Sequence, residues 1–407
     1  MKVGIVTIHD MANVGNRLQN FALYRALEDL DHEPFVIPNE PYHYSREGTE
    51  TVAPREAEPV APGEEAVAPG EEAVESPARQ GHRSVVLKAA RRGTDLGAKV
   101  LKAVSDGELR TVPARATKER RRSPLTEFTL SRMRLESTHV RGPGDAAPLK
   151  DRYGSFIVGS DQVWNPAYRG GCPTDFLRFA HPHQRISYAA SLGTAQLSDE
   201  YRAHYARMLE GFEHISVRES EGSRLISENT GREVPVVLDP TLLLSVEEWS
   251  RIADQAPALT SPTLGTYLLV SSGGSTRSGV RAVARAKKLK VADLISPFAL
   301  SSRWYGIANF LRVIRDSEQV ITDSFHATLF AIMFETPVRV LRRGPGQDAR
   351  LETLLHTFGA DADTAFGAAS DPVDQPLVRE PEAISQAARE SSLSWLGGAL
   401  EAAGAHS

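Results

Sequence analysis

The stretch Val3-Gly4-Ile5-Val6-Thr7-Ile8 runs into a polar turn, His9-Asp10-Met11-Ala12-Asn13-Val14-Gly15, and then into a helical pattern. In that pattern Leu18, Phe21, Ala22 and Ala26, widened by Leu23, Leu27 and Leu30, make one apolar face. An unbroken apolar run is a strand buried on both faces, and a helix with a single apolar face packs against a sheet. Asn16 is expected to cap this helix. A second short strand, Pro34-Phe35-Val36-Ile37-Pro38, follows Asp31-His32, a spacing that suits a parallel β-α-β crossover. The chain therefore opens as an α/β fold. The opening run is far shorter than the ~18 apolar residues of a membrane span and has neither a charged leader nor a cleavage site.

Further along, Phe156-Ile157-Val158-Gly159, Ile186-Ser187-Tyr188-Ala189-Ala190, Ile215-Ser216-Val217-Arg218 and Val234-Pro235-Val236-Val237-Leu238-Asp239 read as strands, with helices at about 199–211 and 219–229. A second unit begins after residues 242–258. It holds a strand over 266–270, a Ser271-Ser272-Gly273-Gly274 turn, a basic helix to Leu289 and a strand over 291–295. A helix near 303–315, a strand over 319–322, a helix from Phe325 to Phe334 and a strand over 338–341 complete it. The expected architecture is two Rossmann-like α/β domains facing each other across a cleft. Residues 1–240 form the first, the acceptor side; residues 241–375 form the second, the donor side; and residues 376–407 form a C-terminal helical tail. In open parallel sheets ligands bind at the carboxyl ends of the strands, which places the site between the halves.

One segment breaks the pattern. From about Ser45 to Gln80 the chain turns to Ala, Pro, Gly and Glu, and Ala61-Pro62-Gly63-Glu64-Glu65-Ala66-Val67 is repeated at once as Ala68-Pro69-Gly70-Glu71-Glu72-Ala73-Val74. Such a stretch cannot bury enough apolar surface to offset its chain entropy. Residues 81–124 reverse the sign, with 12 Lys or Arg against 4 Asp or Glu. Together, 45–124 read as a disordered, low-complexity insertion in the first domain. Its basic part is either a solvated helix or a peripheral contact for an anionic membrane surface or glycan.

Composition narrows the class. The 407 residues include 41% hydrophobic and 24% charged side chains, ordinary globular usage that argues against a collagen-like, coiled-coil or wholly disordered chain. A net charge of −5 gives no general pull toward nucleic acid. The single cysteine, Cys172, cannot form an internal disulfide or a multi-thiolate metal site and points to a reducing compartment. The reading is of a cytoplasmic protein, working in solution or at the inner face of the membrane. Neither a P-loop nor a Gly-x-Gly-x-x-Gly fingerprint is present, and no metal-ligand spacing stands out: His181-Pro182-His183 reads as a loop.

Four stretches, in order, resemble the polysaccharide pyruvyl transferase family. They are Asn13-Val14-Gly15-Asn16-Arg17-Leu18-Gln19-Asn20-Phe21-Ala22-Leu23, Phe156-Ile157-Val158-Gly159-Ser160-Asp161-Gln162-Val163-Trp164-Asn165-Pro166, Ser216-Val217-Arg218-Glu219 and Val320-Ile321-Thr322-Asp323-Ser324-Phe325-His326. The resemblance covers residues 1–40 and about 125–360. It implies a two-domain fold similar to GT-B glycosyltransferases. It also implies transfer of a pyruvyl group from phosphoenolpyruvate onto two hydroxyls of a sugar in a glycan or glycan precursor, as a cyclic ketal, with release of phosphate. Phosphoenolpyruvate would be a co-substrate, with no separate cofactor or metal, and the sugar acceptor would be lipid- or nucleotide-linked. Two other readings stand beside it: a nucleotide-sugar glycosyltransferase on the same fold, and a non-catalytic glycan- or membrane-surface-binding protein.

The residues themselves carry part of this. Phosphoenolpyruvate bears a phosphate and a carboxylate on a small frame, so its site needs cations with bidentate reach, for which arginine suits better than lysine. Arg218 closes a strand, where it either enters the cleft or pairs with Glu219 or Glu221; the resemblance places a donor-binding arginine here. His326 lies in the first turn of a helix after a strand, where free N–H groups favour an anion, and ketal formation needs an acid to protonate the methylene carbon of the donor. Ser324, grouped with the donor, stands where some relatives carry an arginine. Arg350 is the candidate for the missing cation, with Arg342 and Arg343 competing. Asp161, after the strand 156–159, either assists an acceptor hydroxyl or caps a helix. Asn13, Gly15, Asn16 and Gln19 in the first turn and Trp164 near Asp161 are the acceptor-side candidates, the tryptophan by stacking on a sugar unless it packs in the core.

Overall fold

The computed structural model describes residues 1–10, 13–39, 124–271, 273–295 and 306–405, and all of these belong to one compact unit. The expected insertion, and with it the basic stretch from residue 81, lies outside the described residues up to Ser123.

The first half is built on five strands: β1 (Lys2–Val6), β2 (Glu33–Ile37), β3 (Ser155–Val158), β4 (Arg185–Ala190) and β5 (His214–Val217). Helix α1 (Val14–Asp29) connects the first two, and α2 (Asp199–Leu209) and α3 (Ser220–Thr230) flank the last. The order is β2-β1-β3-β4-β5 and every pairing is parallel, with Val6 between Ile37 and Val158. Because parallel strands are covered on both faces, β3 and β4 are buried at every position. Asn13, not Asn16, caps α1: its side chain accepts from the Asn16 N–H, while Asn16 sits fully buried inside the helix.

After α4 (Val246–Ala253) comes the second half. It comprises β6 (Thr263–Tyr267), α5 (Gly274–Ala286), β7 (Lys290–Asp293), α6 (Ile307–Asp316), β8 (Gln319–Thr322), α7 (Phe325–Met333), β9 (Val338–Val340) and α8 (Pro345–Thr357). Its parallel sheet runs β7-β6-β8-β9. Helix α7 is apolar and buried along its whole length, the pattern of a central rather than a surface helix. A last helix, α9 (Pro381–Gly404), returns to the first half, where Ser392 Oγ accepts from the Leu238 N–H and Arg389 donates to the Leu242 carbonyl.

The halves share one apolar core. Trp249 of α4 meets Phe21 of α1 and Phe330 of α7 edge-on, with ring centroids 5.9 and 5.0 Å apart, and Phe330 also meets Phe310 of α6. Each such pair contributes about 0.5–1.5 kcal/mol beyond its burial.

Two strand expectations shift. The run 266–270 is strand only to Tyr267; the Leu269 and Val270 N–H groups donate to the Asp323 carboxylate instead of a ladder, and both side chains are about half exposed. The run 234–239 makes only a parallel bridge, Val217 to Val236, because Pro235 brings no N–H to the ladder.

Candidate active site

Both sheets aim the carboxyl ends of their strands at one place. The first sheet supplies the turn after β1, Ser160 and Asp161 after β3, and Arg218 after β5, while the second supplies His326 after β8 and Arg350 from α8. Arg218 and Arg350, but not His326 or Asp161, line a cavity of about 190 Å³ together with Asp239, Phe325 and Ser392.

Arg218 is buried, and its guanidinium is held on three sides. Nη1 donates to Asp239 Oδ2 at 2.7 Å and more weakly to Ser160 Oγ at 3.4 Å, and Cζ lies 4.5 Å from the centroid of the Phe325 ring. Nε and Nη2 have no hydrogen-bond partner. One edge of the guanidinium is thus anchored, one face is covered by an aromatic ring, and the other edge stays open, the geometry for receiving an oxyanion side-on. Burial opposes its charge, but the carboxylates of Asp239, Glu219 and Asp161 outweigh that and hold its pKa above the ordinary value.

The ion-pair alternative for Arg218 therefore holds, with Asp239 as a closer partner beside a long pairing to Glu219. Asp239 is the carboxylate, whereas Glu219 stands 4.0 Å from Nε and spends its Oε1 on Ser191 Oγ and the Leu192 N–H, both 2.9 Å away. Asp239 is buried and saturated: Oδ1 accepts from the Thr241 N–H at 3.0 Å and Thr241 Oγ1 at 2.7 Å, and Oδ2 accepts from Arg218 and Ser160. Although burial works against its ionisation, Arg218 and His326 keep its pKa below the usual carboxylate value.

His326 stands in the first turn of α7. Its Nε2 is buried, unpartnered and 3.8 Å from Asp239 Oδ2. Burial lowers its pKa, and the neighbouring guanidinium groups of Arg218 and Arg350 push the same way, against Asp239 and Asp161. The ring presses on the start of α1 so closely that a Cβ on Gly15 would stand 2.2 Å from His326 Nδ1. Gly15 is therefore what lets the two halves meet at this histidine.

Arg350 is also buried. One Nη donates to Gln347 while Nε has no partner, and burial, reinforced by Arg218, lowers its pKa to about 10. Arg342 is turned elsewhere, over the Phe366 ring and toward Glu352. Asp161, only partly buried, takes Asn16 Nδ2 at 3.1 Å and the Gln162 N–H at 2.8 Å and adopts a left-handed backbone with φ 68°.

Several expected contact residues are framework instead. Trp164 is a core residue, not a sugar platform: its ring stacks on Phe176 at 5.2 Å and its Nε1 donates to the Asp175 carbonyl. Gln19 is fully buried and ties the turns after β1 and β3 together, donating to Thr7 Oγ1 and accepting from the Ser160 N–H. Ser324 caps α7, with Oγ accepting from the Ala327 N–H, and so supplies no replacement cation. Asn13 caps α1, and the Asn16 side chain bridges Asp161, Asp10 and Arg17.

Neither Asp239 nor Ser160 stood out in the sequence as a site residue. The only trace of Asp239 was a carboxylate at the end of an apolar run and before Pro240. Among the described residues no group of three or more His, Cys, Asp or Glu is placed to hold a metal ion, and no helix is long and apolar enough to cross a membrane.

Solved structures similar to this chain include the UDP-GlcNAc 2-epimerase of Neisseria meningitidis bound to UDP-GlcNAc (10% identity, 97% of this chain and 99% of that one, TM-score 0.43). The UDP-GlcNAc 2-epimerase of Methanocaldococcus jannaschii in complex with UDP-GlcNAc and UDP is similar too (10%, 95% and 99%, TM-score 0.43). So is a glycosyltransferase from Streptomyces sp. (12%, 99% and 94%, TM-score 0.35). No curated protein matches the chain. The family model for polysaccharide pyruvyl transferase matches residues 13–345, from the cap of α1 through Asp161, Arg218, Asp239 and His326 and ending short of Arg350, and the chain belongs to that family.

Proposed function

We propose that the protein transfers the pyruvyl group of phosphoenolpyruvate to two hydroxyls of a sugar in a lipid- or nucleotide-linked glycan precursor, forming a cyclic ketal and releasing phosphate. The observation that carries this reading is the convergence of unpartnered donor atoms on buried side chains: Arg218 Nε and Nη2, Arg350 Nε and His326 Nε2. Buried donors without partners are costly, of the order of 1–3 kcal/mol each and more when charged, and two guanidinium groups suit a ligand with two oxyanions on a short frame.

In this reading the two arginines bind the carboxylate and the phosphate, and His326 delivers a proton to the methylene carbon. The C=C electron pair takes that proton, the adjacent carbon becomes electrophilic and the first sugar hydroxyl adds to it. Asp161, more open than the rest of the cluster, receives the hydroxyl proton. Phosphate then leaves with a proton, and the second hydroxyl closes the ketal, returning its proton to the site. The depressed pKa of His326 suits this, since a bound trianion offsets the arginines and favours the imidazolium.

The test is to incubate the protein with phosphoenolpyruvate carrying ¹³C at the central carbon and a panel of nucleotide- and lipid-linked sugars. The expected outcome is stoichiometric phosphate release with the label appearing as a quaternary ketal carbon in the sugar. Phosphate release without label in the sugar, or transfer from a nucleotide-sugar instead, would overturn the proposal.

A further inference from the structure

We infer that Asp239 is a positioning residue that acts on both donor-side groups at once: it holds Arg218 by a single nitrogen and leaves the Nε–Nη2 edge for the ligand, and it places its charge beside the Nε2 side of His326. This rests on the pyruvyl-transfer reading for its chemistry but not for its geometry. Three observations carry it. The Asp239–Arg218 contact is end-on through Nη1, at 2.7 Å, and leaves Nε and Nη2 without partners. The same oxygen, Oδ2, is the carboxylate atom 3.8 Å from His326 Nε2. The other oxygen is pinned by Thr241 through two hydrogen bonds, so the carboxylate cannot rotate to grip Arg218 with both oxygens.

The geometry has a consequence for protons. A carboxylate 3.8 Å from Nε2 supports the imidazolium without a hydrogen bond that would hold the Nε2 proton back from a ligand, whereas Nδ1 is packed against the start of α1 at Gly15. The charges that face His326 are Asp239 from the turn before α4, Arg218 from the end of β5, Asp161 after β3 and Arg350 on α8, and Asp239 is the first of the two that favour its protonation.

The experiment compares the wild type, Asp239→Asn and Asp239→Glu in the full chain. It reads the titration of His326 by ¹⁵N-histidine NMR without ligand, phosphoenolpyruvate binding by calorimetry, and the pH profile of kcat. Asp239→Asn is expected to move the His326 midpoint and the basic limb of kcat to lower pH, and to weaken phosphoenolpyruvate roughly 10- to 100-fold, as loss of one charge-assisted orienting bond requires. Asp239→Glu keeps the charge, and the adjoining cavity of about 190 Å³ has room for its extra methylene. It should hold the His326 midpoint within a few tenths of a unit of wild type while raising KM for the donor about 10-fold.

If Asp239→Asn does not fold, the Glu variant decides: a wild-type KM, or a His326 midpoint displaced to lower pH, overturns the inference. Turnover of phosphoenolpyruvate with an unmoved His326 titration in Asp239→Asn also overturns it. The NMR titration needs no substrate, so a protein that ignores phosphoenolpyruvate yet shows the shift would sink the pyruvyl reading and leave the positioning role standing.

Discussion

Among the described residues, two buried arginine–aspartate pairs lie in the first half of the molecule, and they are differently made. Arg169 grips Asp175 side-on, Nε to Oδ2 at 2.6 Å and Nη2 to Oδ1 at 2.8 Å, and Asn39 adds a third donor at 2.8 Å. Arg218 meets Asp239 end-on through one nitrogen and makes no hydrogen bond through its other edge, whose Nε stands 4.0 Å from Glu219 Oε2. A side-on pair uses up the fork geometry of the guanidinium and serves the fold; an end-on pair saves that geometry for something outside the protein. Burial and opposite charge alone do not tell a structural ion pair from a binding one, whereas the edge left open does. Trp164 belongs with the first pair, since its indole donates to the backbone of Asp175, and this explains why it is frame rather than acceptor platform.

The largest effect should come from breaking the two pairs separately. Arg218→Ala is expected to cut phosphoenolpyruvate affinity by roughly a hundred- to ten-thousand-fold, the loss of two charge-assisted bonds. Arg169→Ala should leave affinity per folded molecule unchanged while lowering stability by about 3–5 kcal/mol, because it strands a buried carboxylate. Calorimetry and urea denaturation on the same preparations would separate the two, and equal losses of affinity would break the comparison.

Gly15→Ala comes next. The added methyl would collide with His326 Nδ1 at 2.2 Å, so the ring or the helix must move. A drop in kcat of about 10- to 100-fold is expected from misplaced chemistry, with a stability loss of about 1–3 kcal/mol from overpacking; steady-state kinetics beside thermal melting checks it.

Smaller still is the double change Arg169→Met with Asp175→Leu. Replacing a buried ion pair by apolar side chains of similar volume is often neutral or stabilising, so stability should stay within about 2 kcal/mol of wild type, with donor binding intact.

The smallest effect is a pH slope. His326 has a folded pKa below its unfolded value of 6.5, so the unfolded chain binds the proton first as pH falls. The stability that its neutral form contributes is complete above 6.5 and is lost as pH drops through the lower folded value. His326→Gln should flatten that acid-side loss by less than about 1.4 kcal/mol per pH unit, the limit for one proton, measured by urea midpoints at several pH values.

Much of this was legible in the sequence, for a physical reason. Buried parallel strands leave continuous apolar runs, and a functional side chain at a carboxyl edge must follow such a run, which made Arg218 and His326 candidates; for Arg218 it was the family resemblance that favoured a binding role over an ion pair. Gly15 was legible as a member of the first turn's candidate set, though not that the His326 ring packs on it. Asp239 was hidden because its partner is 21 residues away and on another segment, a tertiary fact that spacing does not encode. Local neighbours misled for the same reason: Glu219 was the adjacent carboxylate, yet it is turned toward Ser191 and Leu192. Amide-rich turns misled differently. Asn13, Asn16 and Gln19 are the residue types that bind sugars and also those that cap helices and satisfy buried backbone, and here the backbone takes them.

The most direct test of the account is a calorimetric titration of phosphoenolpyruvate into the wild type and Arg218→Ala, with a UDP-sugar as control. Saturable binding of phosphoenolpyruvate that vanishes in Arg218→Ala and is not matched by the UDP-sugar is the result predicted. Tight binding of the UDP-sugar with none of phosphoenolpyruvate, or phosphoenolpyruvate binding that survives the loss of Arg218, would contradict it.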